Sequence, residues 1–177
     1  MSYRISTLIS QEELEKGITR VAEQINEAYA GKELHLICVL KGGVYFTTEL
    51  SKHISEDIRV SVDFMSVSSY GSSTASSGVV RIVKDLDEPI TGKNVLVVED
   101  IVDTGNTLSY LLEMLKDRGP ASLKLCTLLD KPSRRTKDVH VDYTAFEVPD
   151  KFVVGYGLDY DQHYRNLPYI GVVEFDD

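Results

Sequence analysis

The segment over residues 95–107 constrains the fold of this chain more than any other. It reads Val-Leu-Val-Val-Glu-Asp-Ile-Val-Asp-Thr-Gly-Asn-Thr, so a short apolar run leads into acids and a small polar loop. A continuous apolar run of this length is typical of a strand buried on both faces. The loop then opens a helical pattern over residues 104–118, with leucines along one face. A buried strand followed directly by a helix predicts an α/β protein, in which ligands bind at the carboxyl ends of the strands.

The rest of the chain repeats this alternation. Ser10 and Glu13 form a capping-box pattern, which predicts a helix that begins after Ser10 and is closed by Gly31. A second helix is predicted over residues 44–53. Strands are predicted over residues 34–40, 60–67, 79–83, 122–129, 142–148, 152–155 and 169–175. We therefore expect one α/β domain over residues 1–177, with a mainly parallel twisted sheet and helices on both faces.

One segment departs from this alternation. Residues 66–78 contain seven serines and few apolar side chains. Such a segment buries too little apolar surface to offset the entropy lost on ordering. A mobile loop is predicted here, most of it within about residues 68–78.

The charge balance narrows the class of partner. The chain of 177 residues carries 28 acids and 19 bases, a formal net charge of −9, which opposes a broad nucleic-acid interface. No apolar run reaches the roughly 20 residues that a membrane span needs. The N-terminus lacks the apolar stretch of a signal peptide. Cys38 and Cys126 each lie in an apolar run, so we expect two buried thiols rather than a disulfide. Together these features favour a cytoplasmic location.

The acids after the apolar run carry the predicted chemistry. Capping of the following helix could explain Asp103 alone, but not three acids so close to a buried strand. Carboxylates suit ribose hydroxyls or a divalent cation. The loop Thr104-Gly105-Asn106-Thr107 offers N–H donors at a helix N-terminus, where a phosphate is favoured. The spacing is neither that of a Walker loop nor that of a dinucleotide fingerprint. The pattern indicates a sugar that carries phosphates.

The same residues resemble the phosphoribosyl pyrophosphate (PRPP) motif of type I phosphoribosyltransferases. Four further segments resemble hypoxanthine-guanine phosphoribosyltransferases in particular. They are the pyrophosphate loop Val39-Leu40-Lys41-Gly42-Gly43, the loop start Ser69-Tyr70-Gly71, the purine-contacting Leu128-Leu129-Asp130-Lys131, and the base-binding Phe152-Val153-Val154-Gly155-Tyr156-Gly157-Leu158-Asp159-Tyr160 with Arg165 beyond. These matches follow the order of the family from about residue 39 to residue 173.

The resemblance implies the type I phosphoribosyltransferase fold, with a small hood built from about residues 1–10 and 150–177. It implies Mg²⁺-dependent transfer of the 5-phosphoribosyl group from PRPP to hypoxanthine or guanine, which gives IMP or GMP and pyrophosphate. A homodimer or homotetramer is expected on the same ground. A regulator that keeps the fold and the PRPP site but binds RNA or DNA is the alternative. Such a relative would be expected to carry a basic face or an added DNA-binding domain, and this chain has neither.

The resemblance also implies a role for each matching residue. The ribose and 5′-phosphate of PRPP are assigned to Glu99, Asp100, Asp103, Thr104, Gly105, Asn106 and Thr107, with Asp103 as the catalytic group facing the purine N7. Pyrophosphate is assigned to Lys41, Gly42, Ser69, Tyr70 and Arg165; the purine to Lys131, Phe152, Val153 and Asp159; and Mg²⁺ to Glu99, Asp100 and Asp159. The peptide bond before Lys41 can be cis in this family, which the sequence leaves open.

Taken alone, several of these residues have plainer interpretations. Lys41-Gly42-Gly43 would be an ordinary turn, and Arg165 a surface arginine. Phe152 would be a core aromatic, and Lys131 a solvated lysine before Pro132.

Overall fold

The computed structural model describes residues 2–69 and 80–176. Within these ranges the chain forms strands and helices in alternation, as the sequence pattern predicts. They are β1 (Tyr3–Ile9), α1 (Gln11–Ala28), β2 (Glu33–Val39), α2 (Val44–Lys52), β3 (Arg59–Ser69), β4 (Val80–Lys84), β5 (Asn94–Val102), α3 (Asn106–Asp117), β6 (Ser122–Asp130), β7 (Tyr143–Glu147), β8 (Val153–Val154) and β9 (Ile170–Phe175). A short 3₁₀ helix, Pro132–Arg134, follows β6.

The main sheet has six strands in the order β4-β3-β2-β5-β6-β7. Its strands are parallel except for β4, which runs antiparallel to β3. Neighbouring residues of β5 face opposite sides: Leu96 joins the core beneath α1 and α2, and Val97 joins the core beneath α3. Burial on both faces explains the continuous apolar run, and the predicted fold class is confirmed.

The strand order places a crevice between β2 and β5. From β2 the chain adds β3 and β4 on one side, and then crosses to add β5, β6 and β7 on the other. The loops that follow β2 and β5 therefore diverge at the carboxyl edge of the sheet. Open α/β sheets bind ligands at such a point.

The two ends of the chain build a second, antiparallel sheet in the order β1-β9-β8. Tyr3 pairs with Phe175, and Val153 of β8 pairs with Val172 of β9. This sheet corresponds to the hood implied for about residues 1–10 and 150–177.

Several boundaries differ from the sequence predictions. The acids do not follow β5 but lie inside it, because Ile101 and Val102 still pair with β6 after the pairing with β2 has ended at Val98. Helix α3 begins at Asn106 rather than Thr104, because Gly105 has a left-handed φ of 79°. The predicted loop begins too early, because β3 pairs with β4 as far as Ser69.

The rest of the predicted loop, residues 70–79 with Tyr70, lies outside the described residues. Within the described ranges, no helix is both long and apolar enough to cross a membrane.

Candidate active site

A cleft of about 420 Å³ lies at the carboxyl edge of the sheet and is closed on one side by the hood. This volume suits a small-molecule ligand. Its walls are formed by Asp100, Ile101, Asp103, Lys131, Arg134, Asp150, Lys151, Phe152, Val153, Leu158 and Asp159. The cleft thus brings two predicted sugar-binding acids, Asp100 and Asp103, together with the four residues predicted to contact the purine. Glu99, Lys41, Gly42, Ser69 and Arg165 are on neighbouring segments.

Glu99 and Asp100 form an acidic pair on β5. Burial and the neighbouring charge of Asp100 raise the pKa of Glu99 well above its usual range. Burial also raises the pKa of Asp100, although its carboxylate accepts the Ile101 N–H at 2.7 Å. Two neighbouring, half-buried carboxylates supply oxygen ligands of the kind that a hard divalent cation takes.

No group of three or more His, Cys, Asp or Glu side chains in residues 2–69 and 80–176 is arranged to hold a metal ion. Mg²⁺ keeps several waters and often takes only one or two protein carboxylates together with substrate phosphates. The acidic pair fits such a partly protein-bound cation. Asp159 lines the same cleft from the hood, where it pairs with Arg165 at 3.3 Å.

The loop between β5 and α3 has the geometry of an anion site. The exposed Asp103 accepts the Thr104 N–H at 2.7 Å. Gly105 occupies the N-cap position of α3 and has no side chain with which to cap the helix. The Asn106 N–H at the start of α3 donates to the Thr104 hydroxyl at 3.4 Å. An anion at this positive end of the helix dipole stays a prediction from the sequence. At the same end, the Ser69 and Thr107 hydroxyls lie 3.3 Å apart.

Arg135 supports this loop, and the sequence analysis did not identify it. Its guanidinium donates to the Asp103 carbonyl at 3.0 Å and to the Val139 carbonyl at 3.2 Å, and it also pairs with the Asp130 carboxylate. Thr136 adds a bond from its N–H to the Thr104 carbonyl at 3.0 Å. The sequence signal for this contact is Asp130 at the end of an apolar strand with Arg135 five residues later, because a buried acid needs a hydrogen-bond partner.

The loop after β2 closes against the acidic pair. The Leu40–Lys41 peptide bond is cis. A Cβ at Gly42 would collide with the Asp100 carboxylate, and a Cβ at Gly157 of the hood would collide with the Gly42 carbonyl. The hood, this loop and Asp100 are therefore stacked without intervening side chains. This close approach requires glycine, which an ordinary turn would not.

The opposite wall is aromatic and cationic. Phe152 is 48% exposed and stands edge-on to Tyr160, with ring centroids 5.5 Å apart. The Lys131 ammonium donates to the Lys151 carbonyl at 2.5 Å, directly beside Phe152 in the chain. Lys131 and Asp103 both line the cleft.

Comparison with known proteins agrees with this geometry. The model of the phosphoribosyl transferase domain family matches residues 5–161. The chain belongs to the phosphoribosyltransferase family.

Curated relatives narrow this class. The chain is 51% identical to a hypoxanthine-guanine phosphoribosyltransferase of Streptococcus thermophilus, over 94% of this chain and 92% of that protein. It is 52% identical, over the same shares, to the hypoxanthine-guanine phosphoribosyltransferase of Bacillus subtilis. A solved hypoxanthine-guanine phosphoribosyltransferase of Bacillus anthracis superposes with a TM-score of 0.91 at 45% identity, covering 98% of this chain and all of the other. The resemblance inferred from the sequence is confirmed.

Proposed function

We propose that this chain transfers the 5-phosphoribosyl group from PRPP to hypoxanthine or guanine, with Mg²⁺ as the cation. One observation carries the proposal: a single cleft joins acids suited to a sugar, Asp100 and Asp103, with a wall suited to a 6-oxopurine, Lys131 and Phe152. Membership of a transferase family favours the enzyme over the regulatory alternative.

On the sugar side, Glu99 and Asp100 hold the ribose hydroxyls, and the loop over residues 104–107 holds the 5′-phosphate at the start of α3. Loss of pyrophosphate leaves positive charge at the anomeric carbon, and carboxylates fixed nearby stabilise that charge. Mg²⁺, when bound, would neutralise charge on the phosphates of PRPP.

On the base side, Phe152 stacks on the purine through the half of its ring that the hood leaves open. The Val153 backbone hydrogen-bonds the edge of the base. Lys131 donates to the oxygen at position 6, exchanging its bond to the Lys151 carbonyl for one to the ligand. Asp103 faces N7 and accepts its proton as the ring gains charge.

The leaving pyrophosphate is held by the backbone of Lys41 and Gly42 and by Arg165. Ser69 contributes from the end of β3, beside Thr107. Tyr70, which the resemblance assigns to pyrophosphate, lies outside the described residues. Asp159, at the edge of the hood, contacts the purine and binds a second Mg²⁺.

A transfer assay tests the function. The chain is incubated with PRPP, Mg²⁺ and each of hypoxanthine, guanine, xanthine and adenine, all radiolabelled, and nucleotide formation is measured. Labelled nucleotide from hypoxanthine or guanine is expected, with loss of turnover after metal removal in excess EDTA. Formation of no nucleotide from any base would refute the transferase, and full turnover in EDTA would refute the role of Mg²⁺.

We propose a homodimer or homotetramer in the cytoplasm. The two buried free thiols, Cys38 and Cys126, are compatible with a reducing compartment. Sedimentation equilibrium of the full chain distinguishes these assemblies from a monomer of 19.8 kDa.

A further inference from the structure

A tight turn in the hood holds two residues in an unfavourable backbone conformation. Tyr160 and His163 exchange backbone hydrogen bonds of 3.1 and 3.0 Å, so Asp161 and Gln162 form a two-residue loop. Their φ angles are 50° and 66°, in the left-handed region. Such loops usually carry Asn-Gly or Asp-Gly, so glycine would be the ordinary residue at position 162. A strained non-glycine residue beside a site directs attention to its side chain.

The side chain of Gln162 joins two cations. Its Oε1 atom accepts a hydrogen bond from the Lys41 ammonium at 3.3 Å and another from the Arg165 guanidinium at 3.2 Å. Among the described residues, Gln162 is the one hydrogen-bond partner that the Lys41 ammonium has. One neutral oxygen therefore holds together two positive groups from segments more than a hundred residues apart in sequence.

The rest of the turn fixes this oxygen in place. The Gln162 N–H donates to the Asp159 carboxylate at 2.9 Å. The same carboxylate lies 3.3 Å from the Arg165 guanidinium, whose other arm donates to the Gly157 carbonyl at 2.7 Å. The position of Arg165 is thus set from three sides, and the third is the Gln162 amide.

We propose that Gln162 is a positioning residue whose amide oxygen holds Lys41 and Arg165 in place for an oxygen of pyrophosphate and yields both cations when that anion arrives. The proposal rests on the proposed function, which assigns pyrophosphate to the backbone of Lys41 and Gly42 and to Arg165, and it adds the Lys41 ammonium to that set. Hydrogen bonds to a charged acceptor are roughly twice as strong as those to a neutral one. An amide oxygen can therefore hold the cations in the free protein and still be displaced by a phosphate oxygen, whereas a carboxylate there would compete for them.

Two substitutions separate this role from a structural one. Gln162→Glu keeps the shape and adds a charge between the cations. It is expected to weaken binding of Mg²⁺-pyrophosphate about 10-fold at low salt, and less at high salt because the added charge is screened. Gln162→Gly removes the acceptor and the backbone strain together. It is expected to weaken the same binding about 3-fold while raising Tm by roughly 2 °C.

The measurement is isothermal titration calorimetry of the full chain with inorganic pyrophosphate and Mg²⁺, together with thermal melting. KM for PRPP should rise with the pyrophosphate Kd, while KM for hypoxanthine stays within about 2-fold. Asp161→Gly is the matched control for backbone strain, since it should raise Tm without weakening the binding of pyrophosphate. Gln24→Glu, on the exposed face of α1, is the matched control for charge and should leave pyrophosphate binding unchanged.

Each result decides the proposal. Pyrophosphate affinity within 2-fold of the parent in both Gln162 variants would overturn it. Equal losses in Gln24→Glu would also overturn it, because net charge alone would then account for the effect. If the parent chain binds neither pyrophosphate nor PRPP, the proposed function fails as well, which is a different result from loss in the variants alone.

Discussion

Two acidic places in the same sheet have opposite electrostatics. Asp63 of β3 is 3% exposed, and its carboxylate accepts the backbone N–H groups of Phe64, Asp87 and Glu88 at 2.7, 2.9 and 3.3 Å. Burial alone would raise the pKa of Asp63. The three N–H bonds and the nearby Lys84 outweigh burial, so its pKa is lowered.

In the Glu99–Asp100 pair on β5, the Asp100 carboxylate accepts the Ile101 N–H, but burial outweighs this support and the pKa of Asp100 is raised. Burial and the charge of Asp100 raise the pKa of Glu99 well above its usual range. The contrast teaches that a buried acid solvated by the chain's own N–H groups serves the fold. A half-buried acid whose neighbour raises its pKa is typical of a ligand site.

The largest expected effect lies at the third acid of the cleft. Asp103→Asn keeps the shape of the side chain and removes its charge, so kcat should fall about 100-fold or more while KM for PRPP changes little. Steady-state kinetics with hypoxanthine measures this. An unchanged kcat would remove Asp103 from the mechanism and leave its carboxylate with a local role, the bond to the Thr104 N–H.

The distinction between groups that serve the fold and groups that serve a ligand also applies to the Lys131 ammonium. Within residues 2–69 and 80–176, the Lys131 ammonium bonds one backbone carbonyl, that of Lys151, so we expect it to serve the ligand rather than the fold. Lys131→Ala should lower kcat/KM for hypoxanthine and guanine by roughly 10- to 150-fold, the value of a hydrogen bond to a charged donor. It should also narrow the gap to adenine, whose amino group offers Lys131 no acceptor. Unaltered ratios among the three bases would show that Lys131 does not read the base.

Asp63→Asn should act on stability alone. The amide would turn a donor toward N–H groups, so the free energy of unfolding should fall by about 1–3 kcal/mol, with kcat and KM unchanged. Because the folded pKa of Asp63 is lowered, its contribution is present above the ordinary value of about 3.9 and is lost as pH falls through the folded value. Urea unfolding of both proteins should give curves that converge at acidic pH. A difference independent of pH would contradict this account.

Glu99→Gln should show the smallest effect on stability, in the opposite direction. A raised pKa means that the ionised Glu99 destabilises the fold, and this cost grows as pH rises above the ordinary carboxyl range. The variant should therefore melt about 3 °C above the parent at neutral pH, the shift that roughly 1 kcal/mol produces in a chain of this size. Its activity should be impaired. A lower Tm at neutral pH would remove the contrast with Asp63.

The central sheet could be predicted because its information is local. The apolar runs of β2 and β5 and the leucines of α3 are buried as their patterns predict. The first acids of the PRPP motif, Glu99 and Asp100, lie inside the carboxyl-terminal part of β5. β1 could not be predicted by pattern, since its partner Phe175 lies at the other end of the chain.

The supporting contacts of the site were also missed. Arg135 and Gln162 act through bonds to the Asp103 carbonyl and to the Lys41 side chain, which depend on the folded shape rather than on spacing. The carboxyl-terminal limit of β5, beyond Glu99, was also missed because it depends on contacts in the folded chain. Strand length there is set by the pairing with β6, not by the point where the apolar run ends.

Strand β5 extends past the end of its pairing with β2, and this extension carries the acidic wall of the cleft. Glu99 and Ile101 remain paired with Thr127 and Leu129 of β6, so the acids cannot follow a substrate as it enters or leaves. A closing motion of the hood during turnover would therefore be measured against this wall. A pair of spectroscopic labels, one on β6 and one on the Tyr160–His163 turn, would therefore follow each catalytic cycle as a single changing distance.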